Sequence, residues 1–228
     1  MNPTLLCFTG NSATGKTTLK NKLVSDGLFY ALRSATTRKM RVEEGESEGN
    51  PYFFRDEAYF DNEPLVTRLW VNEKTWQPGD KKWMYGVPES EVMNNLGKNL
   101  IYDVIQPCYI AQMIKWFHEH HLRSEYNIKI AWFIPPENGI DVISARANMK
   151  DDAKIRKMNT CTAHDLIKAG QELRKEYPSE SLEPDFVLCP RDDIPSPRLQ
   201  QYLLQLYGEM DRRKALIEKE CINHGIKR

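Results

Sequence analysis

The chain has no excess of either charge: lysine plus arginine and aspartate plus glutamate each number 32 in 228 residues, so the formal net charge is zero. A global electrostatic footprint for a polyanion is therefore lacking, although a local basic patch is compatible with that balance. No apolar run approaches the roughly 20 residues that span a bilayer. The opening MNPTLLCFTG carries neither a cationic leader nor an apolar stretch long enough for export. The five cysteines, Cys7, Cys108, Cys161, Cys189 and Cys221, are odd in number and show no CxxC spacing. That usage fits reduced thiols rather than a disulfide framework. Internal repeats and low-complexity tracts are also missing. These absences lead to the expectation of a cytoplasmic protein with no membrane partner, built as one domain with room for a small inserted lobe.

What is present alternates. TLLCFT (4–9), LFYALR (28–33), NLIYDVI (99–105), IKIAWFI (128–134) and DFVLCP (185–190) are short apolar runs that read as buried strands. Between them, TGKTTLKNKLVSDG is helix-like and stops at Gly27. PCYIAQMIKWFHEHH sets Ile110, Met113, Ile114 and Phe117 on one helical face, and PRLQQYLLQLYGEMDRRKALIEKE supplies a C-terminal helix. Buried strands separated by helices imply a parallel sheet covered on both faces, hence an α/β fold. From about 40 to 97 the rhythm breaks. Aromatics and turn signals, including the QPGD turn, suggest small antiparallel strands rather than another crossover. The segment ENGIDVISARANMKDDAKIRKM carries alternating charge on a helical pattern and reads as a lid.

Gly10 to Thr17, GNSATGKT, matches G-x-x-x-x-G-K-[ST] at every fixed position, after a buried strand and before a helix. Gly10 and Gly15 let the backbone turn so that the N–H groups of Gly10, Asn11, Ser12, Ala13, Thr14, Gly15, Lys16, Thr17 and Thr18 face phosphate oxygens at a helix amino terminus. Lys16 would bridge the β- and γ-phosphates, and the Thr17 hydroxyl would coordinate Mg²⁺. The motif alone leaves ATPases, GTPases, helicases and small-molecule kinases open.

The next segment narrows them. SATTRKMR (34–41), followed by Gly49 and Pro51-Tyr52-Phe53-Phe54, resembles the guanylate kinase family, whose acceptor loop reads S-x-T-T-R-x-x-R and then G-x-x-Y-x-F. The resemblance continues through Tyr85-Gly86, Val92, the strand ending in Asp103 and an arginine-bearing lid, and so covers most of residues 4 to 205. It implies a P-loop parallel five-stranded sheet flanked by helices, with an inserted small mixed-β acceptor-binding lobe and a helical lid. The implied boundaries are core 1–36, 98–137 and 166–228, lobe 37–97 and lid 138–165. By the resemblance, Arg38, Arg41, Tyr52 and Tyr85 hold the acceptor's phosphate, Ser34 and Thr67 belong to the acceptor site, and Arg146 is the lid arginine. Asp103, at the carboxyl end of the third apolar core run, is placed by that position to organise Mg²⁺ through water or to contact the acceptor. ATP and Mg²⁺ are the implied donor and cofactor. Two arginines three positions apart, with two phenols, form a charge-assisted cage for a phosphate dianion, which agrees with that assignment.

The resemblance fails where guanine would be read. The family's glutamate, serine and second aspartate are matched by Thr67, Val87 and Ile105, and the asparagine near the donor adenine by Pro190. Guanine's adjacent N1–H and N2–H₂ donors pair with a carboxylate and not with a threonine. The stretch from Thr67 to Tyr85 is also longer than the family's and carries Trp70, Trp76 and Trp83, either for stacking on a base or for packing the hairpin. The run His118-Glu119-His120-His121 reads as a solvated helix end rather than a metal site.

Three functions remain. The first is an ATP-dependent kinase of the nucleoside monophosphate class acting on a nucleotide other than plain GMP, such as one with a modified base. The second is a kinase for a hydroxymethylated pyrimidine within DNA, with DNA as a polymeric partner. The third is a guanylate kinase-like binding module without catalysis, which the intact Gly15-Lys16-Thr17 disfavours. A monomer and a homodimer both fit the sequence.

Overall fold

A computed structural model describes residues 2–11, 14–71, 83–134 and 161–188, together with 201, 204, 205 and 208. The central sheet has five strands in the order β2-β7-β1-β8-β9, all parallel. They are β1 (Thr4–Gly10), β2 (Tyr30–Ala31), β7 (Leu100–Asp103), β8 (Asn127–Phe133) and β9 (Phe186–Leu188), one on each of the five apolar runs to within a residue at the ends. Every residue of β1 is buried, because helices cover both faces of the sheet. Leu5 and Cys7 enter one core with Leu100, Tyr102, Ile110, Met113 and Phe117. Leu6 and Phe8 enter the other with Leu23, Ile101, Phe133 and Phe186. Successive β1 residues therefore build two cores by simple alternation.

Helix α1 (Lys16–Ser25) follows the glycine-rich loop. The chain then leaves it through Gly27 at φ 71, a left-handed conformation that glycine adopts without strain. Helix α4 (Pro107–Glu119) has proline at its first position, where no N–H is needed, and buries Ile110, Met113, Ile114 and Phe117 as the spacing required. It packs against α5 (Ala163–Glu176), whose start is fixed by a capping box between Thr162 and Asp165. Most of the expected C-terminal helix lies outside the described residues. Of the expected lid only 161–165 are described, and α5 already begins there.

The lobe is a four-stranded sheet in the order β4-β3-β6-β5. It comprises β3 (Ser34–Thr36), β4 (Tyr52–Phe54), β5 (Leu69–Val71) and β6 (Trp83–Gly86). Pairs β3/β6 and β5/β6 are antiparallel and β3/β4 is parallel, so the lobe is the mixed sheet that the resemblance implies, although the turn signals alone suggest antiparallel strands. The loop 37–51 supplies the crossover that a parallel pair needs. The small sheet also starts at Ser34, ahead of the boundary read at 37. Helices α2 (Glu57–Asn62) and α3 (Glu89–Met93) complete the lobe's surroundings, with Ala35, Phe60 and Met84 as its core. The QPGD turn lies outside the described residues.

Of the histidine run, Glu119, His120 and His121 are exposed, as a solvated helix end requires, but His118 is half-buried and engaged. His118 Nε2 lies 2.9 Å from Glu180 Oε1, and its ring stacks on Tyr177 at 4.1 Å. His120 stacks on Trp116, also at 4.1 Å. The His118 ring thus ties α4 to the chain beyond α5. Among the described residues, no group of three or more histidine, cysteine or acidic side chains is arranged to hold a metal ion. No helix among them is long and apolar enough to cross a membrane.

Candidate functional site

The head of the central sheet, where its strands end, carries the loop. Gly10 sits at φ 136, and a Cβ there would lie 2.2 Å from Phe133 O, so only glycine fits beside β8. Gly15, at φ 89, turns the backbone into α1. Asn11, Thr14 and Lys16 are buried. The Lys16 ammonium donates to Gly10 O at 2.8 Å and Asn11 O at 2.6 Å, and the Thr14 hydroxyl donates to Asn11 O at 2.7 Å. Burial draws the Lys16 pKa below its ordinary value; the Asp103 carboxylate opposes that shift and Lys20 reinforces it. An ammonium parked on loop carbonyls is the arrangement an incoming anion replaces with a stronger partner. Thr17 and Thr18 are exposed on the first turn of α1. Ser12 and Ala13 lie outside the described residues.

Side chains that the motif did not flag hold this loop from behind. Asn11 Oδ1 accepts from the Cys161 N–H at 2.7 Å, pinning the loop to the residue before the α5 cap. The Thr9 hydroxyl donates to Ile105 O at 2.8 Å and lies 3.5 Å from Cys161 Sγ. Lys20, one helical turn beyond Lys16, reaches Asp103 Oδ2 at 3.0 Å. In sequence Cys161 is one of five scattered thiols and Lys20 an ordinary helix residue, and neither carries a local mark of this contact.

The lobe sheet assembles the second half. Pairing of β3 with β4 and β6 brings Arg38, Tyr52 and Tyr85 together. Arg38 is only 5% exposed. Its backbone N–H donates to Thr36 Oγ1, its Nη1 to Lys39 O at 2.8 Å, and its Nη2 to Glu46 Oε1 at 2.6 Å. The guanidinium lies 5.6 Å from the Tyr52 ring centre and 5.8 Å from that of Phe54, within cation–π range. The Tyr52 and Tyr85 rings meet edge to face at 5.8 Å, and the Tyr85 phenol lies close enough to the Arg38 guanidinium to feel its charge. Burial pushes both phenols above their ordinary pKa. Arg41 donates its backbone N–H to Glu46 Oε2 at 2.7 Å. Burial would raise the Glu46 pKa, but the bonds from Arg38 and Arg41 outweigh it and hold the carboxyl below its usual range. Ser34 stands opposite Tyr52 in the β3/β4 register.

Arg33, between β2 and β3, clamps the joint between the two sheets. Its Nε and backbone N–H donate to Glu91 Oε1, its Nη2 donates to Tyr30 at 2.6 Å, and its guanidinium lies 4.6 Å from the Phe53 ring centre.

Thr67 is 1% exposed, and its Oγ1 accepts from Tyr102 O–H and from Val87 N–H, each at 3.1 Å. Its hydroxyl thus bridges the lobe to the core sheet. Val87 is fully buried and Ile105 is partly so. Arg146, Pro190 and Trp76 lie outside the described residues.

The chemistry of this site fits a triphosphate: amides and a buried lysine at a helix amino terminus, with the exposed Thr17 available to Mg²⁺. Asp103 fits the metal less well, since one of its oxygens is bonded to Lys20.

The chain is 44% identical over 61 residues to the guanylate kinase of Mycoplasma genitalium, covering 25% of this chain and 24% of that protein. It is 31% identical over 104 residues to the guanylate kinase of Clostridium tetani, covering 44% of this chain and 46% of that protein. The matched segments thus span less than half the length of either relative. Among solved structures, a guanylate kinase from Anaplasma phagocytophilum is similar with a TM-score of 0.49 at 17% identity, covering 96% of this chain and 86% of that one. No family model matches. Over the segments matched in sequence, the chain is guanylate kinase-like.

Proposed function

We propose that the chain is an ATP-dependent phosphotransferase of the nucleoside monophosphate kinase type, moving the γ-phosphoryl group of Mg-ATP to a (deoxy)nucleotide other than plain GMP. The observation that carries this reading is the pairing of two half-sites: the loop with buried Lys16, and the Arg38, Tyr52 and Tyr85 cage assembled by the lobe sheet.

In this mechanism the loop amides bind the triphosphate, and Lys16 leaves the Gly10 and Asn11 carbonyls for the β- and γ-phosphate oxygens. Arg38, with the two phenols and Arg41, orients the acceptor's phosphate for in-line attack. No general base is needed, because a monoester phosphate oxygen is already ionised near neutral pH. Thr17, with the nucleotide, would hold Mg²⁺, which when bound would supply neutralisation of charge on the transferred group. Arg146 is assigned the same task from the lid.

The positions matching the family's guanine readers, Thr67 and Val87, are buried and present no group to an acceptor base. Neither presents a carboxylate, and the Thr67 oxygen is engaged by two internal donors. A guanine edge would lose charge-assisted bonds at about 1.5 to 3 kcal/mol apiece.

The test is a ³²P-transfer screen from labelled ATP to common and modified nucleoside monophosphates, with oligonucleotides bearing hydroxymethylated pyrimidines included. A labelled diphosphate from a non-guanine nucleotide is expected, with turnover reduced on the order of 10²-fold or more in Lys16→Ala. GMP as the best acceptor would refute the specificity reading. Label confined to the oligonucleotide would assign the acceptor to DNA.

A further inference from the structure

Resting on the reading of the loop as a triphosphate cradle, we propose that Lys20 is a positioning residue of the donor site, holding Asp103 as a paired carboxylate so that Asp103 is not a ligand of the divalent cation. Lys16, Lys20 and Leu23 recur at helical spacing along one stripe of α1, and Lys16 and Leu23 are buried. That stripe faces the carboxyl end of β7, where the Lys20 ammonium donates to Asp103 Oδ2 at 3.0 Å. The two side chains are 19% and 14% exposed, so the pair is screened by little water.

The charges have a definite sum at this place. Lys16 and Lys20 are cationic and Asp103 is anionic, and both Lys20 and Asp103 lie close enough to act on Lys16, with opposite signs. Together they leave the cradle with one net positive charge for a polyanion. Without Lys20, Asp103 would cancel Lys16 and oppose the triphosphate. For Asp103 to ligate a metal, it would have to break a charge-assisted bond in a largely dry crevice and leave Lys20 beside a dication. The cation is better served by Thr17 on the exposed first turn of α1, with nucleotide oxygens and water completing its shell. This reverses the assignment of Asp103 to the metal made from its strand-end position.

The test compares the parent chain with Lys20→Met, Asp103→Asn and the double variant in two binding measurements. One is the Kd for ATP without divalent ions; the other is the affinity of each protein–ATP complex for Mn²⁺, read from the paramagnetic signal of free Mn²⁺. Lys20→Met is expected to weaken metal-free ATP binding by at least about fivefold and to tighten Mn²⁺, because Asp103 is released. Asp103→Asn is expected to tighten metal-free ATP binding and to leave Mn²⁺ affinity within about twofold of the parent. The double variant should return toward the parent in both. A loss of Mn²⁺ affinity of about tenfold in Asp103→Asn would make Asp103 a ligand and overturn the proposal. So would a shift of ATP affinity in the same direction in both single variants, the mark of a merely structural pair. Absence of ATP binding by the parent chain would overturn the cradle reading itself, and this inference with it.

Discussion

Arg38 Nη2 lies 2.6 Å from Glu46 Oε1, so the guanidinium assigned to an acceptor's phosphate already holds a carboxylate of its own chain. The second Glu46 oxygen takes the Arg41 N–H, and the guanidinium is further fixed by Lys39 O and by the faces of Tyr52 and Phe54. Glu46 thereby pre-orients the cage and reduces its charge.

Arg38→Ala leaves the Glu46 carboxylate, whose side chain is 12% exposed, without its ion-pair partner. It is expected to destabilise the fold by about 2 to 3 kcal/mol in urea denaturation. Arg38→Ala combined with Glu46→Gln should recover part of that loss. An unchanged midpoint in the single variant would show that the pair carries no structural weight.

Acid sensitivity should follow two glutamates. Glu46 is held below its ordinary pKa as described, and Glu180 likewise: burial would raise it, but Arg123 Nε at 2.5 Å and His118 at 2.9 Å outweigh that. A carboxyl depressed in the folded state stabilises the fold above its unfolded pKa, and that contribution is lost as pH falls through the folded value. Melting temperature should therefore fall as pH drops below about 4.3, the ordinary glutamate value. Glu180→Gln should show a flatter acid limb than the parent; identical limbs would remove Glu180 from this role.

Two loop glycines should differ in kind. At Gly10 a Cβ would lie 2.2 Å from a backbone oxygen of β8, whereas at Gly15 nothing lies within 4 Å. Gly15→Ala suffers only the left-handed backbone, about 1 to 2 kcal/mol. Gly10→Ala must also push strands apart, and is expected to be the more destabilising in thermal melts by a clear margin. Equal losses would contradict the close approach of β1 to β8.

Restoring a carboxylate at position 67 should not create a guanine reader. Thr67 is 1% exposed and fully enclosed by Tyr102, Val87 and the lobe. Thr67→Glu buries an unpaired charge and is expected to lower stability by about 3 kcal/mol or more without conferring GMP turnover. The milder Tyr102→Phe, which removes one hydrogen bond to the same oxygen, should cost about 1 kcal/mol. Efficient GMP use by Thr67→Glu would mean that this position faces the acceptor recess.

Much of the framework was legible in the residues. The five core strands stand out because a strand covered on both faces needs an unbroken apolar run, as in Leu5 to Phe8, and α4 shows its buried stripe at Ile110, Met113, Ile114 and Phe117. The parallel β3/β4 pair was hidden, since strands of three residues show no period and their polarity says nothing of direction. Glu46, Lys20 and the Asn11–Cys161 bond were also hidden. Each joins groups brought together by folding, and no local spacing encodes such a meeting. His118 was misread for the same reason, because its partners Tyr177 and Glu180 come from a distant segment. Thr67 was placed at the acceptor from its position in a resemblance, while burial decides what its hydroxyl touches.

In the proposed mechanism the loop and the Arg38 cage are halves of one transfer site. A two-headed analogue, adenosine joined through five phosphates to a nucleoside, reports on both halves when its binding is compared with that of ATP alone. Engagement of both halves should make the analogue bind at least about tenfold more tightly than ATP, with that gain lost in Arg38→Ala. Equal affinity for analogue and ATP, unmoved by Arg38→Ala, would contradict it.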